Sequence, residues 1–235
     1  MRNTIMVASL VSLLCFTLSC RSKAERAELE EQNVEKLAHG HEADLLKAPA
    51  IRQDEMTHPE EENENLLQPP DKIMDAIGLK PGMVIGEVGA GTGRFTVWLA
   101  RRVGNKGLVY ANDIDQSALS VLERDSQKMG LTNIKTILGQ THEPCFSPRS
   151  LDMAFMINVY NAFEDPVRFL RNIAPALKPG AKLAIVLDDP AKSGGESPRS
   201  ATREQFLGHI DKAGYKVEKE ETFLPLNALY VLRLK

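Results

Sequence analysis

A glycine-rich segment between an apolar run and an amphipathic run is the part of this sequence best suited to bind a ligand. Residues 83–88 form a short apolar run that contains Glu87, glycines follow at positions 89, 91 and 93, and helically spaced apolar residues begin at Phe95. This order predicts a strand, a tight turn and a helix. Glycine permits positive φ and close approach of a ligand, and unpaired N–H groups at a helix start favour an anion. We therefore expect a small anionic or nucleoside-bearing ligand.

The spacing of these glycines separates two kinds of nucleotide site. A dinucleotide fingerprint has glycine at its first, third and sixth positions, but the sixth position counted from Gly89 is Arg94. This weakens the interpretation as a nicotinamide-dependent oxidoreductase. The pattern Glu-x-Gly-x-Gly-x-Gly instead resembles the first motif of the class I S-adenosylmethionine-dependent methyltransferases, and the resemblance extends from about Leu66 to the C-terminus.

The resemblance implies S-adenosylmethionine as cofactor and assigns it a set of residues. Glu87 would hold the methionine amino group, Asp113 the ribose hydroxyls, and Ile114 one face of the adenine. Asp115 is an alternative at the ribose, although it better suits a helix cap. Gln140 stands where many members have aspartate, and an amide oxygen still accepts a hydrogen bond. The full predicted set is Glu87, Gly89, Ala90, Gly91, Gly93, Asp113, Ile114, Gln140, Thr141 and Asn158.

Polar residues near the ends of two later strands are the candidates for the methyl-acceptor side. Asn158, Tyr160 and Asp188 are predicted to line it, because ligands bind beyond the carboxyl ends of parallel strands. Asn161 and Ala162 stand where similar proteins often carry histidine, so no acid or base is predicted there. Methyl transfer depends mainly on holding two reactants in a dry pocket, and a base is needed only for a nucleophile that must lose a proton.

Alternating apolar and helical patterns predict the elements that position these residues. Five strand–helix units followed by two strands without a helix between them predict an α/β fold with a doubly wound, mainly parallel seven-stranded sheet, a C-terminal antiparallel hairpin and helices on both faces. Ser117 is the expected cap of the third helix, and Thr202 with Gln205 caps the last. The predicted strands are 83–88, 108–112, 134–138, 151–157, 182–187, 216–222 and 228–234, and the helices 71–77, 93–103, 117–129, 166–177 and 203–213.

The N-terminal residues predict membrane attachment. Arg2 precedes an apolar run, residues 5–18, and Ser19-Cys20 resembles the end of a lipobox, so residues 1–20 are a predicted signal peptide of an exported bacterial lipoprotein. The alternative is an uncleaved signal anchor, in which case the positive charges after the run would place the domain in the cytoplasm. Residues 21–65 are an acidic tether, and residues 66–235 the methyltransferase domain. Arg52, Glu55 and Gln68-Pro69 suggest a lid over the cofactor.

Composition limits the remaining function classes. The 235 residues are 43% hydrophobic and 26% charged, which is sufficient for one sizeable core. The formal net charge of -3 and the lack of a basic stripe do not indicate a nucleic-acid partner. Three cysteines, with only Cys145 in the domain, predict no disulfide framework. The linker histidines His39, His41 and His58 are interpreted as solvated, His142 as a loop residue, and no metal is predicted.

Two function hypotheses follow. The first is S-adenosylmethionine-dependent methyl transfer to a small or lipid-like acceptor near a membrane. The second is a non-catalytic protein that retains the fold and a nucleoside pocket, because Gln140 and Asn161-Ala162 depart from the family pattern, and because S-adenosylmethionine is made in the cytoplasm. The sequence predicts neither the acceptor nor the oligomeric state.

Overall fold

A computed structural model describes residues 64–192 and 200–235, so the predicted signal segment and nearly all of the tether lie outside the described residues. The strands of the described part are β1 (Val84–Val88), β2 (Leu108–Asp113), β3 (Ile134–Leu138), β4 (Leu151–Ile157), β5 (Leu177–Asp188), β6 (Tyr215–Glu221) and β7 (Asn227–Leu234). Its helices of eight residues or more are α1 (Pro70–Ile77), α2 (Thr96–Val103), α3 (Gln116–Lys128), α4 (Pro166–Ile173) and α5 (Arg203–Lys212).

The strands of the described residues form one sheet in the order β3-β2-β1-β4-β5-β7-β6. Pairing is parallel from β3 to β5 and antiparallel where β7 joins β5 and β6. This confirms the predicted doubly wound sheet with a C-terminal antiparallel hairpin. Because the chain runs outward in opposite directions from β1 and β4, the strand order reverses between them, and their carboxyl ends define the place where a ligand is expected.

Alternation along β4 explains why helices cover both faces. Ala154 and Met156 contribute to one apolar core, whereas Met153, Phe155 and Ile157 contribute to the other. The first core also holds side chains of α4 and α5, and the second holds side chains of α1 and α2. Central parallel strands are buried on both faces in such sheets and are therefore apolar throughout.

Three predicted element boundaries differ from the structure by three residues or more. The helix after the glycine turn begins at Thr96, not at residue 93, because Gly93 has a φ of 104°, which a right-handed helix cannot include. The helix predicted to reach residue 177 ends at Ile173 and is followed by a short 3₁₀ turn. Pro175 explains this end, since proline lacks the N–H and clashes with the preceding turn. Strand β5 consequently begins at Leu177, five residues earlier than predicted.

The cap of α3 differs from the prediction, whereas the cap of α5 confirms it. Asp115, not Ser117, caps α3: its side chain accepts a hydrogen bond from the backbone N–H of Ser117 at 2.8 Å. Helix α5 has the predicted capping box, in which Gln205 N–H donates to the Thr202 hydroxyl at 3.2 Å and the Gln205 side chain accepts from Thr202 N–H at 2.9 Å. Within residues 64–192 and 200–235, no helix is both long and apolar enough to span a bilayer.

Candidate functional site

A carboxylate fixed by backbone N–H groups lies at the end of β2. Asp113 Oδ2 accepts from the N–H of Gly91 at 2.7 Å, and Oδ1 accepts from the N–H of Asp115 at 3.0 Å. The side chain is half-buried, and each oxygen keeps a second lone pair. Gly91 has a φ of 54°, and a Cβ added there would meet no atom within 4 Å. The carboxylate therefore borders open space beside bare backbone.

Apolar side chains flank this carboxylate. Ile114, directly after β2, is 66% exposed, and Leu138, the register partner of Asp113 on β3, is 50% exposed. Packing does not explain why two large apolar side chains stand at the carboxyl ends of neighbouring strands. They offer an apolar surface to a flat ring beside Asp113. Ile114 was expected there from the sequence, whereas Leu138 was not singled out.

The segment after β3 forms a tight turn. Gln140 N–H donates to the carbonyl of Glu143 at 2.8 Å, and Glu143 N–H donates back at 3.1 Å. Gln140 and Thr141 are exposed and follow the carboxyl end of β3. Asn172 of α4 fixes the turn by donating to the carbonyl of His142 at 2.9 Å.

Glu87 lies beneath the glycine turn instead of beside open space. It is 1% exposed, and its Oε2 accepts from the hydroxyl of Thr96 at 2.5 Å. Burial raises the pKa of this carboxyl to about 7, against the opposing influence of the Thr96 bond and the charge of Arg94, while the charge of Asp113 raises it further. The group can therefore gain or lose a proton near neutral pH.

A network of amides joins the ends of β4 and β7 to the N-terminal segment. Gln68 Nε2 donates to Asn158 Oδ1 at 2.8 Å and to Asn227 Oδ1 at 3.1 Å, and Gln68 Oε1 accepts from Asn158 Nδ2 at 3.1 Å. Gln68 and Asn227 are almost completely buried, whereas Asn158 is exposed and has a φ of 57°. We call Gln68, Asn158 and Asn227 the amide network. It connects residue 68 to the carboxyl end of β4 and to the start of β7.

Arg94 connects the glycine turn to the same segment. Its guanidinium donates to Gln68 Oε1 at 2.8 Å and to Asn65 Oδ1 at 3.1 Å, and it forms an ion pair with Glu64 at 2.8 Å. Arg94 was noted in the sequence only because glycine was missing there. In the fold it holds residues 64–68 against the turn.

The acceptor-side candidate Asp188 lies at the other end of the amide network. Its Oδ1 accepts from Asn227 Nδ2 at 3.0 Å, and the side chain is exposed. Lys192 stabilises this arrangement, because its Nζ donates to the carbonyls of Thr222, Leu224 and Asn227 at 2.8 to 3.0 Å. Asn158 and Asp188 are thus connected through the hydrogen bonds of Gln68 and Asn227.

Tyr160 does not join them, because its ring lies in the core. The ring is 2% exposed within the core of α4 and α5, and its hydroxyl contacts His209 Nδ1 at 2.9 Å. Burial raises its pKa well above the usual range, so the phenol stays protonated. Asn161 lies nearby and accepts from the N–H of Ala201 at 3.2 Å.

Sequence reasoning missed Arg94, Asn227, Thr96 and Leu138 and gave Gln68 only a weak lid role. Amides and arginines carry no pattern that separates a buried network from a solvated surface, so only a strand-end position could have indicated Asn227. Among the described residues, no group of three or more His, Cys, Asp or Glu side chains could hold a metal ion.

Comparisons with known proteins agree with this geometry. Residues 86–185 match the methyltransferase domain family. The ubiquinone/menaquinone biosynthesis C-methyltransferase UbiE of Vibrio cholerae is 32% identical over 116 residues, which are 48% of this chain and 44% of that protein. The chain thus spans less than half the length of this relative.

Solved structures share the fold. A S-adenosylmethionine-dependent methyltransferase from Aquifex aeolicus superposes with a TM-score of 0.66 at 24% identity, covering 71% of this chain and 89% of that one. The [4+2]-cyclase SpnF superposes with a TM-score of 0.59 at 21% identity, covering 66% of this chain and 60% of that one.

Residues 86–185 thus resemble a methyltransferase domain, and the described chain has the fold of solved S-adenosylmethionine-dependent methyltransferases. The residues present fit this cofactor: Asp113 has lone pairs for two ribose hydroxyls, the space at Gly91 is open, and Ile114 is exposed for a ring. The comparisons therefore support S-adenosylmethionine as the cofactor.

Proposed function

We propose that this protein transfers a methyl group from S-adenosylmethionine to a small or lipid-like acceptor. The observation that carries the proposal is the contact of Asp113 with the Gly91 N–H at 2.7 Å, beside open space and next to the exposed Ile114. This arrangement suits a nucleoside with a vicinal diol, because a carboxylate can accept two hydrogen bonds from it.

The chain's own residues then have separate roles. Asp113 orients the ribose, Ile114 and Leu138 contact the adenine, and Gln140 and Thr141 offer polar groups at the ring edge. Glu87 would face the amino group of the methionine moiety after losing its proton. The cofactor supplies an electrophilic methyl group on a sulfonium, and the protein supplies position and exclusion of water.

The acceptor side favours a nucleophile that does not require a strong base. Its described side chains are the amides of Asn158 and Asn227 and the carboxylate of Asp188. Because one of its relatives is a quinone-biosynthesis C-methyltransferase, a lipophilic quinone precursor with an electron-rich ring carbon is the first acceptor to test. The carboxylate of Asp188 is the candidate to receive the ring proton.

The test uses the full chain in two stages. Calorimetry with S-adenosylmethionine and S-adenosylhomocysteine measures cofactor binding, and we expect saturable binding of both. Methyl-labelled S-adenosylmethionine is then incubated with a membrane lipid extract, and the labelled product is identified by mass spectrometry. Absence of binding would refute the proposal.

A second candidate function is a non-catalytic nucleoside-binding protein. The specific observation in its favour is that Gln68 bonds both the side-chain oxygen and the side-chain nitrogen of Asn158, so the chain itself already engages both polar atoms of this acceptor-side candidate. The two candidates differ in one result. If Gln68→Ala binds the cofactor and still transfers no label to any acceptor in the extract, the non-catalytic function is favoured.

We also propose that residues 1–20 attach the protein to a membrane, through lipidation of Cys20 after export or as an uncleaved anchor with a cytoplasmic domain. The apolar run 5–18 and Ser19-Cys20 support this. Protease added to intact cells and to spheroplasts distinguishes the two sides. Loss of lipid labelling in Cys20→Ser, with wild-type as control, distinguishes lipidation from anchoring.

A further inference from the structure

Four of the eight large apolar side chains that are exposed among the described residues lie in two short segments, 66–67 and 223–226. In the described part of the chain, Leu66 is 78%, Leu67 40%, Phe223 42% and Leu226 40% exposed. Leu66 and Leu67 directly precede Gln68, and Leu226 directly precedes Asn227. We call these four side chains the apolar rim.

One hydrogen bond links the two halves of the apolar rim, and others fix the half that contains Phe223 and Leu226. Gln68 Nε2 donates to Asn227 Oδ1 at 3.1 Å, and the carbonyl of Leu226 accepts from the N–H of Asp189 at 2.9 Å. Lys192 fixes the turn between β6 and β7, because its Nζ donates to three backbone carbonyls of that turn. The apolar rim is therefore carried on anchored backbone, although its side chains face solvent.

The apolar rim lies at the same end of the sheet as the candidate site. Asn227 begins β7 and pairs with Asp188, the last residue of β5. The other exposed apolar residues of the hairpin, Val217 and Leu234, lie at its opposite end, because β6 begins where β7 finishes. The hairpin thus has an apolar side chain at both ends, but only one end borders the candidate site.

We propose that the apolar rim contacts the surface of a lipid bilayer and turns the acceptor side toward it. The described residues begin at Glu64, two residues before Leu66, and the preceding chain contains the apolar run 5–18 predicted to enter a membrane. Residues 21–65 keep the domain within about 150 Å of that membrane even if fully extended. Leu66 and Leu67 of the apolar rim therefore lie within four residues of the first described residue, Glu64.

The size of the apolar rim fits a bilayer better than a protein partner. Four side chains form a patch of a few hundred Å² at most, whereas a stable protein interface buries about 1,200 to 2,000 Å². A weak contact is sufficient when a tether keeps the two surfaces close, since attachment raises the effective concentration. The inference rests on the proposed membrane attachment and gives a lipid-like acceptor a route from the bilayer.

The test places a fluorophore at each end of β7. Leu226 and Leu234 are both 40% exposed, and the chain has a single tryptophan, Trp98. In a Trp98→Phe background, Leu226→Trp is the probe and Leu234→Trp the matched control. Each full-chain variant is reconstituted into phosphatidylcholine vesicles with or without brominated acyl chains, which quench tryptophan on contact. Thermal unfolding and cofactor binding are measured on the same samples.

We expect brominated lipid to quench the Leu226→Trp variant at least twofold more than the Leu234→Trp variant. Equal quenching, or none in either, would overturn the inference. A blue shift of the Leu226→Trp emission that depends on protein concentration and not on bromine would also overturn it, by indicating a second copy as the occupant. The readout needs neither cofactor nor acceptor, so the methyl-transfer proposal can fail while the bilayer contact stands.

Discussion

Gln68 and Asn158 bond each other in both directions across 90 residues of sequence. The nitrogen of Gln68 donates to the oxygen of Asn158 at 2.8 Å, and the oxygen of Gln68 accepts from the nitrogen of Asn158 at 3.1 Å. Asn158 directly follows β4, where the strand order reverses. The N-terminal segment is therefore fixed to the ligand-binding end of the sheet by a side chain that is 6% exposed.

We expect Gln68→Leu to lower the free energy of unfolding by about 2 to 3 kcal/mol, because it leaves the buried Asn227 oxygen and other polar groups unpaired. Gln127→Leu, on the exposed surface of α3, is the control and should change stability by less than about 0.5 kcal/mol. Urea unfolding of both variants measures this. Equal losses would mean that the amide network does not stabilise the fold.

Asp113 and Asp115 are two residues apart in the sequence but have different roles. Asp113 borders the open space at Gly91, whereas Asp115 caps α3 through Ser117. We expect Asp113→Asn to weaken S-adenosylmethionine binding at least tenfold, since one strong acceptor for the ribose is lost. Asp115→Ala should instead lower stability by about 1 kcal/mol and leave affinity unchanged. Calorimetry and urea unfolding of both variants separate the roles, and a tenfold affinity loss in Asp115→Ala would reverse the assignment.

The sequence allowed the sheet and the glycine turn to be predicted, because apolar periodicity and glycine spacing follow directly from backbone geometry. Asp113 was predictable for the same reason, as a polar residue closing an apolar strand. The directions of the side chains that follow β4 were not predictable, because they depend on packing against distant elements. Tyr160 follows β4 closely, yet its ring turns into the core, where Phe206 packs edge to face at 5.1 Å. The buried position of Gln68 was not predictable either, because it depends on a hydrogen bond to Asn227, which is 159 residues away in the sequence.

The buried position of Tyr160 predicts that its hydroxyl acts in stability and not in catalysis. Tyr160→Phe removes the hydroxyl that contacts His209 at 2.9 Å and keeps the ring, so stability should fall by about 1 kcal/mol. Cofactor affinity and methyl transfer should stay within twofold of wild-type. Asp188→Asn, at an exposed strand end, is the comparison and should lower methyl transfer at unchanged cofactor affinity. A large loss of turnover in Tyr160→Phe with normal stability would instead indicate that the Tyr160 hydroxyl acts on the methyl acceptor.

Glu87 predicts an unusual pH dependence of stability. Its pKa is raised by burial from 4.5 to about 7, so between these values the folded protein binds the proton that the unfolded chain has released. The free energy of unfolding should therefore fall as pH rises from about 4.5 to 7, by about 3 kcal/mol in total. Glu87→Gln removes the titrating carboxyl and with it this pH dependence. The stability of the variant relative to the wild-type protein should therefore increase over the same pH range. Chemical unfolding at pH 4, 5, 6, 7 and 8 measures the difference, and Glu164→Gln, at an exposed site, should follow the wild-type slope.

We expect the protonation of the Glu87 carboxyl to be coupled to cofactor binding. A cationic amino group near Glu87 would stabilise the carboxylate and lower its pKa, so S-adenosylmethionine should release a proton on binding and bind more tightly as pH rises toward about 7. Calorimetry at pH 6.5 in two buffers of different ionisation enthalpy measures the released protons. Glu87→Gln should abolish the release. Unchanged proton release in this variant would assign it to another group and leave Glu87 as a structural partner of Thr96.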